Sequence, residues 1–198
     1  MVEPFEFKIN KPKEHFFDLL LGDTEQLTTF VFNNAQNSRN QGNFTESIQW
    51  YKLYTKLKDP DPDELYISFI ELGVLYKILH FDSKKIESFF LIAKELTPDR
   101  AEAYYHLGLF YNQMKNYQES YNILIKGIEI PINKNYKFIN EYVYGKYLYD
   151  ELSVACYWIE KYTEGMSYLS QIFHDPDFEA CQERLLKNET FFKEKMLK

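Results

Sequence analysis

Apolar residues recur along most of the chain at intervals of three and four positions, the spacing of amphipathic α-helices. Glycine and proline, seven of each, fall mainly between these apolar stretches and predict where the helices end. Strand-like alternation is confined to Glu3–Ile9, which predicts an extended arm. The fold class that we expect is all-α. The predicted helices lie at about Lys11–Leu21, Thr24–Gln41, Thr45–Lys58, Glu64–Leu79, Lys84–Leu96, Ala101–Met114, Tyr117–Ile130, Tyr144–Ile159, Thr163–Phe173 and Phe178–Met196.

Short polar sequences mark several of these helix ends. Asp23-Thr24-Glu25-Gln26 and Asp99-Arg100-Ala101-Glu102 each place an acidic residue three positions before Gln or Glu, as in a capping box. The helix predicted at Thr45–Lys58 should end before Pro60 and Pro62, because proline lacks the backbone donor and clashes with the preceding turn.

One set of side chains recurs at a fixed spacing within the helical pattern. In a unit that starts at Ala101, positions 4, 7, 8, 11, 17, 20, 24 and 27 hold Tyr104, Leu107, Gly108, Tyr111, Tyr117, Ser120, Leu124 and Gly127. A unit that starts at Tyr66, 35 residues earlier, repeats the string as Leu72-Gly73 and Tyr76. This pattern resembles the tetratricopeptide repeat, a helix pair of about 34 residues. Small residues at positions 8 and 20 would let the two helices approach closely.

The resemblance implies a right-handed α-solenoid of about four helix pairs with a C-terminal capping helix. The predicted repeats cover about residues 28–59, 66–98, 101–131 and 146–176, and the cap covers 178–196. Residues 1–23 would form an arm with a short helix, and residues 24–198 one repeat domain. Longer steps between the units predict loop insertions at Asp59–Glu64 and at Ile132–Tyr142.

A narrower resemblance covers about Asp99–Phe192. Tyr142-Val143-Tyr144 is followed by Asp150-Glu151-Leu152-Ser153, and later by Arg184, Asn188 and Phe191 at a spacing of four and three. This looks like the helical-repeat region attached to family 2 glycosyltransferases in bacteria and large DNA viruses. The chain departs from that pattern at Gly145-Lys146, where a Trp-Arg-like pair is expected. The resemblance implies a glycosyltransferase, or its acceptor, as partner; the alternative is a role in glycan or nucleotide-sugar handling.

Charge and composition narrow the function classes. The net charge is −7 and the sequence pI is near 5.2, without a basic stripe, so we expect no nucleic-acid partner. No apolar run approaches the roughly 18 residues that cross a bilayer, and the N-terminus lacks a signal-peptide layout, so we expect no membrane partner. Two cysteines, Cys156 and Cys181, cannot build a disulfide framework. These features predict a cytoplasmic protein, with Cys156 in the core.

Candidate catalytic chemistry is sparse. Three Asp-Pro-Asp strings, at Asp59–Asp61, Asp61–Asp63 and Asp175–Asp177, match the Asp-x-Asp motif of many glycosyltransferases. We interpret them as helix-capping loops, because the sequence has no strand–helix alternation to build a nucleotide-binding sheet. The four histidines lack the spacing of metal ligands. We therefore expect no catalytic residue, no metal site and no cofactor.

The remaining candidate site is a surface. In the tetratricopeptide repeat, the first helix of each unit lines a concave groove, so the resemblance implies a non-catalytic module that binds a peptide or protein segment. An alternative is that half of the groove residues pack on the insertion Ile132–Glu141 instead. The groove residues that the resemblance implies are Phe32, Arg39, Ile70, Lys77, Tyr105, Asn112, Tyr147, Asp150, Tyr157 and Trp158.

Overall fold

The computed structural model describes residues 24–173 and 181–197, and within these ranges all regular structure is helical, which confirms the all-α expectation. The predicted N-terminal arm, the helix at Lys11–Leu21 and the string Asp175-Pro176-Asp177 lie outside the described residues. A π-helical segment, Val143–Tyr147, precedes the seventh helix. The α-helices are α1 (Thr24–Asn40), α2 (Phe44–Tyr54), α3 (Pro62–Ile78), α4 (Ser83–Leu96), α5 (Ala101–Gln113), α6 (Tyr117–Gly127), α7 (Leu148–Trp158), α8 (Tyr162–Ile172) and α9 (Gln182–Met196).

The chain divides into two compact units, residues 1–89 and residues 90–198, and α4 runs across the division. In the first unit α1 packs on α2, and α2 packs on α3. In the second unit α5 packs on α6, α6 on α7, α7 on α8, and α8 on α9. Consecutive helices are thus neighbours within each unit, as in a helical repeat.

One hydrogen bond occurs at the same place in two of the helix pairs. In the first unit the Ser47 hydroxyl donates to the Ala35 carbonyl at 2.9 Å. In the second unit the Ser120 hydroxyl donates to the Gly108 carbonyl, also at 2.9 Å. Both serines occupy repeat position 20 and both acceptors position 8, so the predicted small residues lie where the two helices of each pair are in direct contact.

Helix α3 begins two residues before its predicted start. Asp61 is the N-cap, and its carboxylate accepts from the backbone N–H groups of Asp63 at 3.0 Å and Glu64 at 3.1 Å. Pro62 lies in the first turn, where its missing donor costs nothing. The capping interpretation of this Asp-Pro-Asp string is confirmed.

The predicted capping box at the start of α5 is wrong. The N-cap is Arg100 in an extended conformation, and its own side chain makes no capping hydrogen bond; the Ala101 backbone N–H instead donates to the Tyr144 hydroxyl at 3.3 Å. Asp99 instead accepts a hydrogen bond from the Tyr136 hydroxyl at 2.6 Å. The capping motif fails because the loop after α6 competes for the same carboxylates.

That loop is the predicted insertion, and a fully buried charge fixes it to the start of α5. Arg100 Nη2 donates to Glu102 Oε1 at 3.2 Å and to the Phe138 carbonyl at 3.4 Å. Glu102 also accepts from the Asn140 backbone N–H at 3.3 Å and from the Tyr144 hydroxyl at 3.0 Å. Both buried charges are therefore compensated, as burial requires.

The helix predicted at Tyr144–Ile159 begins at Leu148 instead. Tyr144 and Gly145 leave helical geometry, and Gly145 has a φ of 102°. A φ in this region favours glycine because it has no Cβ. The turn therefore gives a backbone reason for a glycine at position 145.

Candidate functional site

In the first unit the structure places two of the four candidate groove residues in the core. Phe32 is 3% exposed and Ile70 is 5% exposed. The rings of Tyr51 and Tyr54 cover Phe32, with centroid distances of 6.2 and 5.3 Å. Phe32 and Ile70 therefore offer almost no surface to a partner, because neighbouring helices bury the faces that carry them.

The two charged candidates of the first unit lie at the edge of that core. Arg39 Nε donates a hydrogen bond to the Glu71 carboxylate. Burial raises the pKa of the Glu71 carboxyl above its usual value, although the nearby Arg39 charge offsets part of this rise. Lys77 is half-buried. Arg39 is thus part of an ion pair between α1 and α3.

In the second unit two candidate tyrosines lie side by side. The rings of Tyr105 on α5 and Tyr147 before α7 are 5.6 Å apart, and Tyr142 stacks on Tyr147 at 6.0 Å. Burial, with the Glu151 carboxylate nearby, raises the pKa of Tyr105 well above its usual value. Its hydroxyl therefore stays protonated at neutral pH. Tyr105 and Tyr147 are half-buried and Tyr142 is exposed, so the three rings form an aromatic surface beside α5 and the π-helical segment.

Two polar candidates make contacts that hold helices together. Asn112 Nδ2 donates to the Glu151 carbonyl at 3.0 Å and to its carboxylate at 2.8 Å, which links α5 to α7. Asp150 accepts two hydrogen bonds from Arg184, at 2.9 and 2.7 Å, which link α7 to α9. This bidentate pair raises the pKa of Arg184.

The last two candidates, Tyr157 and Trp158, line an open cavity between α7 and α9. Trp158 is 58% exposed, and one of its faces stacks on Tyr117 at 5.1 Å. Tyr157 meets Phe192 edge to face at 5.5 Å. The cavity has a volume of about 320 Å³ and is lined by Ser153, Val154, Tyr157, Trp158, Asn188, Phe191 and Phe192. We call it the α7–α9 cavity.

The α9 wall of this cavity is absent from the sequence-based candidates. Phe191 is 39% exposed beside the cavity, Phe192 is buried beneath it, and Asn188 supplies an amide. The spacing of Arg184, Asn188 and Phe191 groups these residues on one face of a helix. It does not indicate which other helix that face contacts. Only the packing of α9 against α8 shows which residues face α7.

A close approach of helices positions Phe192. A Cβ on Gly165 of α8 would lie 2.6 Å from Phe192 Cε1 and 2.8 Å from Cys156 Cβ, so a larger residue cannot fit without movement. Cys156 is buried, as predicted, and burial raises the pKa of its thiol to about 12. The floor of the α7–α9 cavity is therefore a packed core.

Within residues 24–173 and 181–197, no group of three or more His, Cys, Asp and Glu side chains could hold a metal ion. None of the helices described there is both long and apolar enough to cross a bilayer.

Comparison with known families matches one segment of the chain. Residues 101–131, which comprise α5, α6 and the turn after them, match the model of the tetratricopeptide repeat. This segment is therefore similar to a tetratricopeptide repeat. It coincides with the third predicted repeat. No curated protein sequence matches the chain.

Solved structures share the fold at low sequence identity. BtubC (BKLC) from P. vanneervenii has a TM-score of 0.65 and 15% identity, over 92% of this chain and 79% of that one. MamA from Desulfovibrio magneticus RS-1 has a TM-score of 0.60 and 17% identity, and the match covers 89% of this chain and 93% of that one. A Podosopora anserina protein of the kinesin light chain type, with nearly identical TPR-like repeats, has a TM-score of 0.55 and 13% identity. That match covers 89% of this chain and 99% of the other. The chain is therefore similar in fold to TPR-like solenoids.

Proposed function

We propose that the chain is a non-catalytic interaction module whose second unit binds a peptide or protein segment. The observation that carries the proposal is the α7–α9 cavity, where Trp158 and Phe191 keep large parts of their side chains exposed. Exposed aromatic residues beside a cavity are typical of protein-binding sites, because they offer large contact area at a low entropic cost.

The fold supports the same proposal. Helical repeat proteins use extended surfaces of stacked helices to bind other proteins. The tetratricopeptide repeat at residues 101–131 and the TPR-like neighbours fit a scaffold that binds protein partners. We keep Tyr105, Tyr147, Tyr157 and Trp158 in the proposed surface, and we add Phe191.

The other predicted groove residues have roles that compete with ligand binding. Phe32 and Ile70 are core residues, and Arg39, Asn112 and Asp150 hold neighbouring helices through hydrogen bonds. We assign them to the support of the fold, and we leave Lys77 without a role in binding.

A narrower proposal names a glycosyltransferase, or its acceptor, as the partner. It rests on the sequence resemblance of Asp99–Phe192 alone. Association in solution between this chain and a glycosyltransferase encoded beside it, measured by light scattering, is the test. The alternative, nucleotide-sugar handling, predicts heat of binding when a nucleotide sugar and Mn²⁺ are titrated into the chain.

Peptide selection tests the main proposal. Peptides selected from a random phage library on the full chain should bind the Trp158→Ala variant at least about tenfold more weakly, since an interface tryptophan often contributes more than 1.4 kcal/mol. Phe81→Ala is the matched control, because Phe81 is a 49% exposed aromatic residue in the first unit. Circular dichroism should show both variants folded. Equal binding to Trp158→Ala and to the unmodified chain would contradict the proposal.

A further inference from the structure

Four polar or aromatic side chains meet between α5 and α7. Tyr105 and Asn112 belong to α5, while Tyr147 and Glu151 belong to the start of α7. Tyr105 contacts Tyr147, and Asn112 bonds to Glu151. We infer that the bound segment places a lysine or arginine side chain here, with its cation on the Asn112 side-chain oxygen and the Glu151 carboxylate. This inference rests on the proposed function and adds the class of ligand residue.

Asn112 carries a buried hydrogen-bond acceptor that needs a donor. Its side chain is 8% exposed. Nδ2 donates to both the carbonyl and the carboxylate of Glu151, so the orientation of the amide is fixed and these bonds leave Oδ1 unused. Among the described residues, Oδ1 has no hydrogen-bond partner. A buried acceptor without a donor is unfavourable, so the position selects a ligand group that donates. The Nδ2 side of Asn112 supports the fold, and Oδ1 takes no part in that role.

Two carboxylates make a cationic donor the better match. Burial raises the pKa of the Tyr105 hydroxyl, and the Glu151 and Asp150 carboxylates raise it further, so both charges act on the space beside this ring. Arg184 compensates Asp150 through two hydrogen bonds. Glu151 accepts from the uncharged Asn112 amide, and a carboxylate can accept several donors. An ammonium or guanidinium group would bond to Asn112 Oδ1 and be attracted by Glu151, whereas a neutral donor would gain only the first contact.

The tyrosine rings suit the rest of a lysine or arginine side chain. The rings of Tyr105 and Tyr147 are 5.6 Å apart, and Tyr142 stacks on Tyr147 at 6.0 Å. The Lys146 ammonium lies 5.4 Å from the centre of the Tyr142 ring, which is within reach of a cation–π contact. A ligand side chain that enters beside Tyr105 would lay its methylene groups along these rings and keep its charge at Glu151.

Three pools of random synthetic peptides of equal length test the inference. Their central residue is fixed as lysine, as norleucine or as glutamate, and norleucine keeps an aliphatic stem without the charge. The immobilised full chain should retain the lysine pool about tenfold more than the norleucine pool, since a charge-assisted hydrogen bond is about twice as strong as a neutral one. The glutamate pool should be retained least. Mass spectrometry of the bound fraction measures the three amounts.

A local variant separates this site from the charge of the whole chain. The net charge of −7 attracts any basic peptide weakly. Glu151→Gln removes the charge and keeps an oxygen that accepts from Asn112, and it should reduce the preference for lysine to about threefold or less. The control Glu119→Gln makes the same change in net charge at an exposed position of α6, and it should keep the preference near tenfold. Circular dichroism should show both variants folded.

Nuclear magnetic resonance of the unmodified chain gives a second readout that needs no variant. When a peptide recovered from the lysine pool is titrated, the side-chain amide signals of Asn112 should shift. Those of Asn122, exposed on α6, should stay in place. An equal lysine preference in Glu151→Gln and Glu119→Gln, with no shift at Asn112, would overturn the inference and assign Oδ1 to a resident water.

The outcomes separate the inference from the proposed function. If the three pools bind equally and Trp158→Ala weakens all of them, the module binds peptides and the basic residue is wrong. If no pool binds and library peptides ignore Trp158→Ala, both proposals fail.

Discussion

At the scale of single residues, small side chains decide how closely the paired helices pack. The Ser47–Ala35 and Ser120–Gly108 hydrogen bonds each join a side chain on one helix to the backbone of the paired helix. A buried hydroxyl needs such a partner, because an unsatisfied one costs about 1–3 kcal/mol. Position 8 must stay small because the next helix occupies the space where a longer side chain would lie.

Gly108→Ala tests this packing. A Cβ on Gly108 would overlap the Leu124 side chain, so the variant should lose about 1–3 kcal/mol in free energy of unfolding despite the better helix propensity of alanine. Urea unfolding followed by circular dichroism measures the change.

Leu124→Ala in the same background is the control for Gly108→Ala. If overlap is the cause, the double variant should lose less than the sum of the single losses, because the truncated leucine makes room for the methyl group. Additive losses would show that the steric explanation is wrong.

At the scale of elements, buried polar contacts set the path of the insertion between α6 and α7. Arg100 and Glu102 are fixed at the start of α5, and the insertion supplies the Phe138 carbonyl, the Asn140 N–H and the Tyr144 hydroxyl. Phe138 itself has a φ of 59°, an uncommon conformation for a bulky residue. Contacts from both ends of the loop hold this backbone in place.

Glu102→Ala should release the insertion. The variant leaves the Arg100 charge buried without its carboxylate, which typically costs about 3–5 kcal/mol. We expect faster hydrogen exchange of the backbone amides at residues 136–144 than in the unmodified chain, measured by mass spectrometry. Glu119→Ala, on an exposed position of α6, is the matched control. Equal protection of the insertion in Glu102→Ala and the control would contradict this role.

At the scale of the whole molecule, each unit has its own buried aromatic residues and one tryptophan. Trp50 is 1% exposed in the first unit, where it meets Phe30 edge to face at 5.9 Å. Trp158 is 58% exposed in the second unit. The fluorescence of Trp50 therefore reports on the core of the first unit, and that of Trp158 reports on the surface of the second.

Acrylamide quenching should distinguish the two tryptophans. In Trp50→Phe, the remaining Trp158 should emit at longer wavelength and be quenched several times more strongly than Trp50 is in Trp158→Phe, because quenching requires contact with solvent. Comparable quenching in the two variants would mean that Trp158 is covered and that the α7–α9 cavity is closed in solution.

Most of the helices and the repeat pattern at residues 101–131 could be predicted from the sequence, because both depend on local periodicity. Apolar spacing of three and four predicts an amphipathic helix wherever it occurs, and the Leu-Gly-x-x-Tyr string with Ser120 identifies which faces meet. Which residues remain exposed could be seen only once the helices were packed together. Phe32 and Trp158 both occupy predicted groove positions, yet α2 covers the first, while α9 forms a cavity beside the second. Exposure depends on neighbours that are distant in sequence, so no local pattern could separate them.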